Sequence, residues 1–168
     1  DAQVGPIYLG YIGIASLLAA WGYSYGPSPI SASPLGEVFV IAFFGVAATA
    51  GIVWLGVHRI DATAILLGVA IGLPAAAVLT VNNHRDRVQD RISGRRTLAI
   101  LLGPTATPYL YVCELVAAAV LSGIALWPIS RFGIVVAALA LLAALRLGHT
   151  LSRAPVTRAL NAHLVATM

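Results

Sequence analysis

The sequence predicts an all-α, polytopic transmembrane helical bundle, and three observations support this fold class. Of the 168 residues, 60% are hydrophobic and 10% are charged, whereas a soluble domain carries roughly 25% charged residues. The mean hydropathy is +0.92. Apolar runs long enough to cross a bilayer as helices recur along the chain, at residues 7–23, 36–57, 62–81, 107–127 and 132–147. We therefore treat residues 1–168 as one transmembrane domain.

The composition also limits the partners that we expect. The net charge of +4 is carried by arginine, because the chain contains no lysine. A basic chain can bind nucleic acid, but these arginines lie at the ends of apolar runs, where membrane topology explains them. We expect a lipid bilayer and no nucleic acid as partner. The lone Cys113 excludes a disulfide within the chain and is read as a small core residue.

The first two runs are joined by a loop. The run at 7–23 ends among aromatic residues that suit a membrane interface. The following stretch is rich in Pro, Gly and Ser, which predicts a loop. The run at 36–57 begins with Glu37, an acid that is favourable at a helix N-terminus. Small residues such as Gly45 then allow a close approach of another helix.

The later runs contain isolated polar or helix-breaking residues. Pro74 in the run at 62–81 predicts a kink or a freed carbonyl. Glu114 lies inside the run at 107–127, where an ionisable residue indicates a functional group or a partner of an interfacial arginine. The run at 132–147 has no such interruption, and the tail that follows it is basic.

The arginines predict an orientation. If the five spans alternate in direction, one side of the membrane holds eight of the ten arginines, and only Arg59 and Arg131 lie on the other side. The positive-inside rule then places residues 82–103 in the cytoplasm. We expect the protein in the cytoplasmic (inner) membrane of a bacterium.

Charge is concentrated in residues 82–103. If the third run continues as a helix past Val81, then Asn82, Asp86 and Asp90 recur at i, i+4 and i+8 and share one face. Two carboxylates and an amide oxygen form a hard ligand set, which suits Mg²⁺ bound together with water and phosphate oxygens. The alternating arginines can bind phosphate in a bidentate manner. This pattern favours a magnesium–diphosphate site.

Composition alone favours a simpler interpretation of the same residues. They can form a topology anchor with internal ion pairs, such as Arg85 with Asp86 or Asp90 with Arg87, and with a solvated His84. The corresponding function is a helical membrane subunit or carrier without enzymatic activity. A carrier should show polar residues and broken helices within its spans, and these spans contain few.

The whole string VNNHRDRVQDRISGRRTLAILLG, residues 81–103, resembles a known motif. It is similar to the second aspartate-rich motif of the UbiA superfamily of intramembrane prenyltransferases, in the branch that acts on 1,4-dihydroxy-2-naphthoate. That pattern reads roughly N-N-x-R-D-x-x-x-D-x-x-x-G-K-R-T-L-A-x-x-L-G, and Arg95 replaces its lysine. The stretches at 23–27 (YSYGP) and 36–45 (GEVFVIAFFG) are similar to further family sequences. The resemblance covers most of the chain.

The resemblance implies a nine-helix fold and a Mg²⁺-dependent reaction. A polyprenyl group passes from polyprenyl diphosphate to 1,4-dihydroxy-2-naphthoate, with loss of CO₂ and diphosphate, to give demethylmenaquinone. Another aromatic acceptor is the alternative within the same superfamily. Asp86 and Asp90 match the catalytic metal ligands. The implied diphosphate- or substrate-binding residues are Asn82, Asn83, Arg85, Arg96 and Tyr23.

Two of these residues can serve a purely structural purpose instead, and one family motif has no match. Arg85 can pair with Asp86, and Tyr23 can belong to an aromatic belt at the interface. The first aspartate-rich motif of the superfamily, similar to N-D-x-x-D, has no counterpart before Asn82. We therefore expect helices four to eight of the family fold, in a fragment that is inactive alone. A shortened natural homologue is the alternative.

Overall fold

The computed structural model describes residues 6–128 and 130–153, and these form helices and connecting turns without a strand. A short 3₁₀ turn at Ile30–Ala32 separates the first two helices. The helices are α1 (Pro6–Ser24), α2 (Gly36–Val57), α3 (Ala62–Ile92), α4 (Leu98–Leu126) and α5 (Phe132–Arg153).

Four of these helices, α2 to α5, are long and apolar enough to cross a membrane. The outward faces of the bundle carry large apolar side chains such as Leu17, Ile52 and Phe132, which are 73%, 72% and 80% exposed. Apolar faces of this size are favourable in contact with lipid and unfavourable in contact with water. The all-α transmembrane fold class is therefore confirmed. α1 is helical at the predicted place, although it is not among the four spans found in the described residues.

α2 and α3 pack closely through glycine. α2 is π-helical over Ile41–Ala47, and this stretch faces α3. A Cβ at Gly45 would overlap the carbonyl oxygen of Gly68, and one at Gly72 would lie 2.8 Å from the Cα of Ile41. Only glycine permits this backbone approach. The close helix contact predicted from the small residues of α2 is confirmed.

The Gly45→Ala variant of the full-length protein should be less stable by about 1–3 kcal/mol, because the new methyl group must displace the α3 backbone. Gly51→Ala is the matched control in the same helix, since a Cβ there meets nothing within 4 Å. Thermal unfolding in detergent measures both variants. Equal midpoints for the two would contradict the proposed close packing of α2 on α3.

α3 is continuous through Pro74 and extends beyond its apolar run, 62–81, to Ile92. The helical continuation on which the spacing of Asn82, Asp86 and Asp90 depends is therefore present. At the opposite end Asp61 caps the helix, and its Oδ1 accepts a hydrogen bond of 2.9 Å from the Ala64 N–H. α3 thus carries a charged extension, residues 82–92, past the apolar part of the bundle.

α4 begins before residue 107, where the apolar run at 107–127 had predicted its start. It starts at Leu98 and breaks only at Gly103, which has φ 76° and ψ −179°. Glycine adopts this backbone conformation without a steric penalty. Thr107 Oγ1 donates a 2.7 Å hydrogen bond to the carbonyl of Gly103. The last part of the 82–103 motif is therefore a helical turn and not part of a charged loop.

The interior of the bundle lies between α3, α4 and α5. Ala77 and Val81 of α3 pack there with Tyr111 of α4 and Leu151 of α5. α5 is longer than the apolar run at 132–147 indicated, because it continues to Arg153. Arg158 and His163 of the basic tail lie outside the described residues.

Candidate metal and diphosphate site

The charged end of α3 presents Asp86 to solvent and pairs it with its neighbour. Arg85 Nε and Nη2 donate to Asp86 Oδ1 and Oδ2, each at 2.7 Å, while the Asp86 side chain is 44% exposed. These hydrogen bonds from Arg85 hold the pKa of Asp86 below its usual value. Arg85 thus pairs with Asp86, one of the two roles that the sequence left open.

Asp90 lies one turn further on and is largely buried, with a side chain that is 13% exposed. Its partner is Arg95, whose Nε lies 3.5 Å from Asp90 Oδ1. Burial raises the pKa of Asp90, and the charge of Arg95 opposes that rise. The pair with Arg87 that the topology-anchor interpretation allowed is not the one formed, because the chain reverses at Gly94 (φ 77°) and brings Arg95 back to the end of α3.

His84 is buried instead of solvated. It is 3% exposed, and its Nδ1 lies 3.3 Å from Arg87 Nη1. Burial lowers the pKa of His84, and the charge of Arg87 acts in the same direction. The expectation of a solvated side chain is wrong, because the face of α3 that carries His84 turns toward the other helices.

Asn83 contacts a buried acid on α2. Its Nδ2 donates a 3.0 Å hydrogen bond to Glu37 Oε1, and Glu37 is 4% exposed. One turn earlier on α3, Thr80 Oγ1 donates a 3.1 Å hydrogen bond to Glu114 Oε1. Glu114 therefore bonds to a threonine within the bundle, and the arginine partner that we considered for it is wrong. The amide of Asn83 links helices α2 and α3.

Asn82 and Tyr23 line the same cavity. They line an open, largely apolar cavity of about 530 Å³ with Val40, Phe44 and Leu79, among other residues of α2 and α3. The Tyr23 ring stacks on Phe39 with centroids 5.1 Å apart. Phe39 in turn stacks on Phe43 at 5.0 Å. Tyr23 therefore belongs to a row of stacked aromatic rings beside this cavity, which Asn82 also lines.

Arg96 lies on a second, open cavity of about 810 Å³ at the same end of the bundle. This cavity is bordered by serines of the loop before α2, including Ser28 and Ser31. The Arg96 side chain is exposed, and no hydrogen bond or ion pair joins its guanidinium to the described residues. A guanidinium that is free among hydroxyl groups favours an anionic ligand.

The site residues fit one side of a magnesium–diphosphate complex. Asp86 and Asp90 offer carboxylate oxygens one helical turn apart, and Mg²⁺ prefers a few carboxylates completed by water and phosphate oxygens. Over residues 6–128 and 130–153, no group of three or more His, Cys, Asp or Glu side chains is placed to hold a metal ion. The described residues thus offer two candidate carboxylate ligands and not a complete cage.

Comparison with known proteins identifies the family. The UbiA prenyltransferase family matches residues 2–165. The 1,4-dihydroxy-2-naphthoate octaprenyltransferase of Haemophilus influenzae is 41% identical over 92 residues, which cover 55% of this chain and 30% of that protein. The protein of the same name from Mycobacterium tuberculosis is 35% identical over 135 residues, covering 79% and 46%.

A human relative, UbiA prenyltransferase domain-containing protein 1, is 34% identical over 77 residues, covering 46% of this chain and 23% of that protein. This chain spans less than half the length of these relatives. No solved structure gives a significant match. Because the family match extends over nearly the whole chain, this protein belongs to the UbiA prenyltransferase family.

Proposed function

We propose that the whole protein transfers a polyprenyl group from polyprenyl diphosphate to 1,4-dihydroxy-2-naphthoate, with loss of CO₂ and diphosphate, to give demethylmenaquinone in its reduced, hydroquinone form. The observation that carries this proposal is the Asp86–Asp90 pair at the end of α3, with the free guanidinium of Arg96 at the same end of the bundle. The acceptor is taken from the names of the bacterial relatives.

Asp86 and Asp90 are proposed to hold Mg²⁺ from the α3 side. A cation bound there supplies charge neutralisation for the departing diphosphate. Arg96 binds phosphate oxygens through its planar fork, and Arg85 orients Asp86 through the bidentate pair described above. The missing ligands on the other side are assigned to the first aspartate-rich motif of the family, on another helix of the whole protein.

The apolar cavity is proposed to hold the reacting end of the prenyl chain. The bond between the allylic carbon and the diphosphate oxygen breaks, and the electron-rich naphthoate ring attacks the resulting cation. A carbon–carbon bond forms, and departure of the carboxyl group as CO₂ restores the aromatic ring. Phe44, Leu79 and Tyr23 line this open cavity, and their apolar surfaces are proposed to shield the cation from water. Aromatic faces also stabilise a nearby positive charge.

Asn82 and Asn83 are proposed to act differently from each other. Asn82 lines the apolar cavity, and its proposed role is to contact substrate there. Asn83 is engaged with Glu37, so its proposed role is to hold α3 in register with α2 and with the aspartates that follow.

The protein is an integral membrane protein, and we propose that it lies in the bacterial cytoplasmic membrane with residues 82–103 facing the cytoplasm. The excess of arginine on that side supports this orientation. It also gives a water-soluble naphthoate and a membrane-bound prenyl donor access to the same end of the bundle.

Product analysis with two acceptors tests the proposed function. The purified full-length protein, supplied with polyprenyl diphosphate and Mg²⁺, should prenylate 1,4-dihydroxy-2-naphthoate and release CO₂. It should leave 4-hydroxybenzoate unchanged. Mass spectrometry of the lipid extract measures both products. Prenylation of 4-hydroxybenzoate alone would assign the protein to another branch of the superfamily. No product from either acceptor would favour the membrane subunit or carrier.

A further inference from the structure

The turn after α3 carries two contacts that the proposed reaction does not use. At Gly94 the chain reverses, and the Arg95 N–H donates a 2.9 Å hydrogen bond to the Asp90 carbonyl. The Arg95 side chain then reaches the loop before α2, where its Nη2 donates a 2.8 Å hydrogen bond to the carbonyl of Ser31. One guanidinium therefore contacts both the Asp90 carboxylate and a backbone segment 64 residues earlier in the chain.

A second hydrogen bond joins the turn after α3 to the loop before α2. The Arg96 N–H donates a 2.7 Å hydrogen bond to the carbonyl of Ala32. The hydrogen bonds within the loop itself are local, such as those from Ser33 to the carbonyl of Ile30. Residues 27–34, which we call the Ser/Pro segment, are thus attached to the end of α3 by Arg95 and Arg96. This segment forms one wall of the cavity that Arg96 lines.

We propose that Arg95 is a positioning residue that holds the Asp90 carboxylate and fastens the Ser/Pro segment as the wall of the diphosphate cavity. The planar guanidinium suits this double role, because its nitrogens point in fixed, separate directions. Arg95 Nε is buried and lies within ion-pair distance of Asp90 without making a hydrogen bond. Charge attraction therefore fixes the carboxylate and leaves its oxygens available to a ligand. The inference rests on the proposed function for the identity of the ligand.

Hydrogen–deuterium exchange of the full-length protein tests the attachment without any substrate. In Arg95→Ala the amides of the Ser/Pro segment should exchange about tenfold faster, because a charged hydrogen bond is lost. Ser31→Ala is the matched control, since it removes the hydroxyl and keeps the carbonyl that accepts from Arg95. Unchanged exchange in Arg95→Ala would overturn the attachment.

Steady-state kinetics of the same variants test the positioning role. Arg95→Ala should raise the KM for polyprenyl diphosphate about tenfold and leave the KM for the acceptor near its wild-type value. Arg95→Lys should recover part of this loss, since one ammonium can reach one of the two partners. Arg91→Ala replaces an exposed arginine of the same segment and should leave both KM values at their wild-type levels. If Arg95→Ala shows faster exchange but an unchanged KM for polyprenyl diphosphate, the contact of Arg95 with the Ser/Pro segment stabilises only the fold. That result would overturn the positioning role.

Arg95→Gln keeps the test decisive if the alanine variant does not fold. Glutamine can donate to the Ser31 carbonyl but carries no charge for Asp90. Exchange in the Ser/Pro segment should then stay close to wild type while the KM for polyprenyl diphosphate rises. An unchanged KM in a folded Arg95→Gln protein would contradict the role at Asp90. A wild-type protein that transfers no prenyl group would refute the proposed function, while the exchange experiment would still decide the attachment.

Discussion

Replacing Asp90 with Asn in the full-length protein is expected to lower prenyl transfer by about 10³-fold, and Asp86→Asn should act in the same direction. Asparagine preserves the size of the side chain but removes the ionised oxygen that a hard cation requires. At Asp90 it also leaves the Arg95 charge without its carboxylate partner. The measurement is kcat/KM for polyprenyl diphosphate at saturating acceptor.

The control for these variants is Asp61→Ser, which removes a carboxylate from the opposite end of the same helix. Serine can still cap α3 through its side-chain oxygen, as Asp61 does with the Ala64 N–H. We expect wild-type rates in this control and equal membrane insertion in all three proteins. Full activity in both aspartate variants would contradict the metal assignment.

Arg96→Gln is expected to lower kcat/KM for polyprenyl diphosphate by about 10²-fold, the amount that the loss of one or two charged hydrogen bonds implies. The guanidinium has no hydrogen-bond or ion-pair partner within the part of the chain that the structure describes. Its loss should therefore not destabilise the fold, so the effect on activity reports on ligand binding.

Arg91→Gln is the matched control for Arg96→Gln, because Arg91 lies in the same segment, carries the same charge and is exposed. A general loss of positive charge near the membrane surface would affect both variants alike. Parallel losses in the two variants would therefore contradict a specific role for Arg96. A loss confined to Arg96→Gln, and seen mainly in KM, supports direct contact with the diphosphate.

The helices were predictable because apolar runs of membrane length have few other stable structures. The close approach of another helix at Gly45 also followed from its size, although the sequence did not identify that helix as α3. Two glycines of the motif, Gly94 and Gly103, match glycines in the family pattern and both have positive φ, at 77° and 76°. The motif therefore specifies a backbone path as well as a set of ligands.

The Arg85–Asp86 pair was predictable, but the partners of Asp90 and Glu37 were not predictable from spacing along one helix. Spacing along α3 allowed Asp90 to pair with Arg87, but the turn at Gly94 brings Arg95 to it. Glu37 was interpreted as a favourable charge at the start of α2, yet its side chain turns inward to Asn83. The Glu37–Asn83 contact joins residues 46 positions apart, and the Asp90–Arg95 contact forms across the turn after α3, so neither follows the periodicity of one helix. The match of the 36–45 stretch to the family was the one sequence signal that pointed to Glu37.

Binding of polyprenyl diphosphate by the full-length protein, measured over a range of Mg²⁺ concentrations, tests the central claim most directly. The wild type should bind the diphosphate with an affinity that rises at least about tenfold with Mg²⁺. The double variant Asp86→Asn, Asp90→Asn should lose this dependence on Mg²⁺ while remaining folded. The same Mg²⁺-dependent affinity in both proteins would contradict a metal and diphosphate site at the end of α3.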